Sequence, residues 1–201
     1  MADAACKVHM TAGEYLALEA ASAERHEFVD GAMVAMAGST DTHNDIVYNT
    51  TVALRGQFLP RGCKVPFSDV KVLVERLDAY FYPDVFVTCD VRDRADPVVK
   101  RHPCLIVEVL SKSTEDYDRG AKFQKYRRLD SLQAYVVVYT SHRQVDVLER
   151  QDHPFWRYST FSTGEALHIE RLDIRLTVDD LYIGTNVPAE PDEASTTATP
   201  D

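Results

Sequence analysis

What the 201-residue chain lacks narrows its function first. No run approaches the roughly 18 consecutive apolar residues needed to cross a bilayer, so no membrane partner is expected. The opening MADAACKVHM has no basic segment followed by an apolar one, which excludes a secretory signal there and points to the cytoplasm. Cysteine is sparse: Cys6, Cys63, Cys89 and Cys104 form no C-x-x-C pair and no zinc-finger spacing, so zinc and thiol catalysis are not expected and all four are read as reduced thiols. A single tryptophan, Trp156, argues against an aromatic-lined sugar cleft, and hence against a carboxylate-pair glycosidase. Positive charge is in deficit, at 22 Lys and Arg against 32 Asp and Glu, a net of -10, which opposes non-specific binding of phosphates by the surface as a whole. Glu190, Asp192, Glu193 and Asp201 account for part of this; without them the body is still at -6.

The remainder reads as one domain over 1–184 and an acidic, disordered tail over 185–201. Thr11 and Glu14 have capping-box spacing, predicting a helix over about 11–23. Asp30-Gly31 joins two short apolar runs as a hairpin turn. Ser39, Thr40 and Asp41 offer N-caps for a helix to about Phe58. The period then becomes that of strands: VPFSDVKVLVE, YPDVFVT and CLIVEVL. A charged, proline-containing loop separates the last two. Thr114 caps a predicted helix to about Leu129, AYVVVYT is a buried strand, QVDVLER, 154–160 and LDIRL are antiparallel strands, and TVDDLY is a short helix. The class is mixed α/β, with helices on the faces of a mixed sheet.

One residue stands out. Glu108 interrupts an otherwise apolar strand, where a carboxylate is costly unless paired or bound to a metal. Alternation puts Glu108 with Cys104, Ile106 and Leu110, and Asp84 with Tyr82, Phe86 and Thr88. If the strands are neighbours, the two carboxylates converge as hard oxygen ligands suited to Mg²⁺ or Mn²⁺.

Tyr82-Pro83-Asp84, then Glu108 to Ser111, then Asp118 to Lys122 with Tyr126, resemble the Uma-two family, together with Glu27, Asp30-Gly31 and His43. The resemblance covers most of 11–183. It implies a restriction-endonuclease-like PD-(D/E)XK fold and a metal-dependent endonuclease acting on nucleic acid, DNA ahead of RNA, with homodimers common among such enzymes. It further implies Asp84 and Glu108 as metal ligands with the Val109 carbonyl completing the set, and Glu27 as an auxiliary ligand approaching from the hairpin. The usual catalytic lysine would stand at residue 110, which here is Leu110, so the matching position is Lys122 on the following helix. Lys112, Arg119, Lys122, Lys125, Arg127 and Arg128 could hold a phosphate backbone beside the site.

Plainer roles stand beside these. Glu108 could pair with a buried Lys or Arg, Asp118 and Lys122 have the i,i+4 spacing of a surface ion pair, and His43 fits a polar helix end. The acidic net charge and Leu110 support a rival reading, a catalytically inactive nuclease fold used for binding or assembly.

Overall fold

The computed structural model describes residues 10–36, 38–110 and 117–191. Helix α1 (Ala12–Ala21) starts from the expected capping box, Thr11 and Glu14 each satisfying the other's backbone N–H. Strands β1 (His26–Val29) and β2 (Ala32–Ala35) form the hairpin. Asp30 and Gly31 both take positive φ at its turn, 52° and 76°, a backbone path that Asp tolerates and Gly favours. Helix α2 (Asp41–Phe58) is capped by Thr40, whose hydroxyl accepts the His43 N–H.

Strands β3 (Lys71–Val74), β4 (Ala79–Phe81) and β6 (Val99–Lys100) join the hairpin in one sheet, ordered β2-β1-β4-β3-β6. A second sheet runs β10-β9-β8-β7-β5 and contains β5 (Val85–Val87), β7 (Leu105–Val109), β8 (Ala134–Val138), β9 (Gln144–Arg150) and β10 (Trp156–Ser162). Strands β7 and β8 are parallel, while β5 and β7 are antiparallel. The hairpin β11 (Ala166–Ile169) and β12 (Ile174–Thr177) precedes the short helix α4 (Val178–Leu181).

Strands β7 and β8 are buried on both faces, which is why they read as nearly unbroken apolar runs. Leu105, Val107 and Val109 face a core with Ile46, Leu54 and Phe58 of α2. Ile106 and Leu110 face the opposite core, with Phe81, Phe86, Tyr126 and Tyr135. Glu108 alternates onto that second face.

Three expectations change. The chain between β7 and β8 was expected to be one α-helix. Instead it makes a π-helical turn at Tyr117–Lys122 and only then a short α3 (Phe123–Tyr126); the Thr114 cap, Ser111 and Lys112 lie outside the described residues. Cys63 and Cys89, expected to be reduced, are joined as a disulfide. Its cause is non-local: Lys64 and Thr88 pair antiparallel, which sets the adjoining cysteines opposite each other. Finally, the chain past residue 184 stays packed for a few residues, with Val187 buried and the Pro188 carbonyl accepting the Arg143 N–H at 2.8 Å; positions 192–201 lie outside the described residues.

Candidate active site

The register Val85↔Val107 sets Asp84 opposite Glu108, one step beyond the last paired residues of β5 and β7. The Asp84 N–H points at Glu108 Oε2, 3.4 Å away, and the Val109 N–H donates to Asp84 Oδ2 at 2.8 Å. Both carboxylates, Val109 and Glu27 line a cavity of about 150 Å³ beneath the β1–β2 hairpin.

Lys122 is buried in the same place. Its Nζ lies 3.0 Å from Glu108 Oε1, 3.1 Å from Glu27 Oε1 and 3.5 Å from Asp118 Oδ1. The pairing with Asp118 is therefore real but interior, and the lysine reaches Glu108 directly. Burial acts to lower the Lys122 pKa, yet Glu108, Glu27 and Asp118 overcome it and hold the ammonium well above its usual range. For Glu108, burial pushes the carboxyl well up; Lys122 opposes this, while Asp84, Asp118 and Glu27 add to it. Three carboxylates thus hold one ammonium, and Asp84 is a fourth carboxylate lining the same cavity.

Three other groups fix the carboxylates. The Tyr126 hydroxyl donates to Glu108 Oε1 at 3.0 Å, kept protonated by burial first and by Glu108 second. The Tyr82 N–H donates to Glu27 Oε1 at 3.2 Å. His43 Nε2 lies 3.3 Å from Asp84 Oδ2. Burial lowers the His43 pKa, but Asp84 and the Val109 backbone outweigh it and the net shift is upward. His43 is the residue that periodicity undervalued: it caps nothing, and its partner is 41 positions away.

The basic helix is not a continuous phosphate-binding face. Lys122 is buried, and Lys125 pairs with Asp30 of the hairpin turn at 2.8 Å.

The donor chemistry fits a hard divalent ion. Among the described residues no group of three or more His, Cys, Asp or Glu side chains is arranged to hold an ion unaided. The two carboxylates of Asp84 and Glu108 beside open space are hard oxygen donors of the type Mg²⁺ takes, an ion that keeps several waters and takes phosphate oxygens.

Comparisons with known proteins bear on family and fold. Residues 12–179 match the Uma2 family, described as "Putative restriction endonuclease". The chain belongs to the Uma2 family. Two relatives from Synechocystis carry the names "Uncharacterized protein slr1290" and "Uncharacterized protein sll1609". The first is 34% identical over 171 residues, spanning 85% of this chain and 90% of the relative. The second is 33% identical over 131 residues, 64% and 74% of the two chains. The crystal structure of "a putative nuclease belonging to DUF820" from Anabaena variabilis superposes with a TM-score of 0.72 at 15% identity, covering 86% of this chain and 97% of that one. That likeness establishes the fold: the Uma2 chain has a mixed α+β, nuclease-like architecture with helices on its sheets. Among the described residues no helix is long and apolar enough to cross a membrane.

Proposed function

We propose that this Uma2 protein is a Mg²⁺- or Mn²⁺-dependent endonuclease that hydrolyses phosphodiester bonds, with DNA as substrate. The observation that carries it is the pairing of Asp84 with Glu108 at the open end of β5 and β7, beside a buried lysine and an excess of negative charge. Asp84, Glu108 and the Val109 carbonyl would hold the metal. When bound, such an ion supplies Lewis acidity to a phosphate and makes a bound water more acidic.

The chain's own groups supply position and charge. The Val109 N–H and His43 orient Asp84, leaving Asp84 Oδ1 for the cavity. Tyr126 and Lys122 both bind Glu108 Oε1, leaving Oε2 toward Asp84. Lys122, held as an ammonium by three carboxylates, orients water and offsets charge on the phosphate rather than removing a proton. Glu27 fixes that ammonium from the hairpin side, so the auxiliary role assigned to Glu27 is to hold the lysine.

The test is calorimetric titration of Mg²⁺ or Mn²⁺ into the wild type and Asp84→Ala, with nicking of a supercoiled plasmid as the activity readout. Saturable binding and nicking, both abolished in Asp84→Ala, are expected. Absence of metal binding in the wild type would overturn the reading. Metal binding without nicking of any nucleic acid would assign the fold to the rival role of a binding module.

A further inference from the structure

A second cavity, of about 560 Å³, opens at the other end of β5. Its wall is basic in a chain whose net charge is -10. Arg55 comes from the last turn of α2, Lys64 from the segment paired with Thr88, and Arg94 from the 3-10 turn Val91–Arg94. All three are exposed. Among the described residues, Arg55 and Lys64 have no acidic partner, and Arg94 reaches only the Gly62 carbonyl at 3.4 Å.

The other charged groups there are turned inward. The Lys100 ammonium donates to the carbonyls of Asp93 (2.6 Å) and Asp96 and is buried. Asp93, the acid of this wall, is 4% exposed and fully engaged. Its Oδ1 accepts the Arg101 N–H, and its Oδ2 accepts the Thr88 hydroxyl and the His102 N–H. Three positive charges from three elements therefore face one open groove uncompensated, which is the local field a polyanion seeks.

The spacing to the active site is informative. Lys64 lies opposite Thr88, four residues along the chain from Asp84. At about 3.3 Å per strand residue this is roughly 13 Å. A duplex rises about 3.4 Å per nucleotide on each strand, so the separation is about four steps. An open groove with cations on its rim, at that distance, suits a sugar–phosphate chain passing over it.

We propose that the Arg55–Lys64–Arg94 groove binds the DNA backbone about four nucleotides from the phosphate that is cut. This rests on the endonuclease reading for its choice of substrate, but its test does not depend on cleavage. Binding of a fluorescein-labelled 24-base-pair duplex is followed by anisotropy in EDTA, across a salt series, for the wild type and the triple variant R55A/K64A/R94A. The three side chains are exposed and have no acidic partner among the described residues, so the variant should melt as the wild type does, and the single charge reversal Lys64→Glu provides a second reading. The expected result is at least a tenfold loss of affinity in the triple variant. The slope of log affinity against log salt should also fall by about 0.9 for each phosphate no longer neutralised, or roughly 2 to 3 in all. Unchanged affinity and slope would overturn the proposal, even for a wild type that nicks plasmid. Pyrophosphate binding to the groove by calorimetry, with no change in duplex binding, would overturn it in favour of a small phosphate ligand. A wild type that binds duplex but never cuts, with the slope reduced in the variant, would uphold the groove and remove the endonuclease reading alone.

Discussion

Lys122 has as many carboxylate partners as its ammonium has N–H bonds. Removing it leaves Glu108 and Glu27 buried without their cation, so Lys122→Ala should cost about 3–5 kcal/mol in urea unfolding. Any Mg²⁺-dependent cleavage should fall by about 10²-fold or more. Glu108→Gln in the Lys122→Ala background should recover part of the stability, because a neutral amide needs no counter-charge. A loss below about 1 kcal/mol in the single variant would mean that the cage does not hold the fold. Lys125→Ala is the control, since its Asp30 partner is mostly exposed and such pairs are worth about 0–1 kcal/mol. A different carboxylate gives a pH test. Burial pushes Glu19 up, but the His26 N–H, the Tyr82 hydroxyl and the His26 ring together bring its pKa below the usual value. A lowered folded pKa adds stability above the unfolded pKa, and that stability is lost as pH falls through the folded one. The advantage of wild type over Glu19→Gln should be full at pH 7 and shrink below about pH 4. At this scale the sequence was informative where a residue broke its local pattern. Glu108 announced itself by interrupting an apolar strand. His43 and Tyr126 broke no pattern, and only the resemblance placed them near the site.

The strands and both long helices were legible because each carries its own period and caps. Thr11 with Glu14, Thr40, and Asp30-Gly31 mark their element ends through interactions within a few residues. The π-helical turn was not legible. Its hydrogen bonds are chosen by what the turn must reach, here Glu108 and Glu27 from Lys122, and those partners belong to other strands. Such turns recur at functional sites. The Cys63–Cys89 bond was missed for the same reason, since strand pairing across 26 positions leaves no trace in local spacing. Closing a loop of that length should stabilise the fold by about 3 kcal/mol. A reducing agent, or Cys63→Ala with Cys89→Ala, should lower the melting temperature by several degrees, and an unchanged melt would show that the bond constrains nothing. At the other end of the domain, Val187 packs into the core against the expectation of a free tail from residue 185. Truncation after Thr185 should therefore lower the melting temperature.

For the whole molecule, charge is sorted by place. The hairpin side of the sheet gathers four carboxylates around a cavity, and the far end of β5 presents uncompensated cations. On the proposed metal-binding reading, a divalent ion at the first place would bind the folded chain alone, so Mg²⁺ at 100 times its Kd should add about 2.7 kcal/mol to stability. The gain should vanish in Asp84→Ala; an equal gain there would locate the ion elsewhere. The two elements that flank this region also form a closed ring. Helix α2 runs about 22 Å from His43 to Phe58, the disulfide joins its far end to the end of β5, and His43 grips Asp84 at the near end. The ring ties the disulfide at one end to the His43–Asp84 contact at the other. Reciprocity then couples the two ends: if reducing the disulfide weakens ion binding by some factor, ion binding must make the disulfide harder to reduce by the same factor. Titrating the disulfide with a thiol buffer, with and without Mg²⁺, would test that coupling from a corner roughly 16 Å from Asp84.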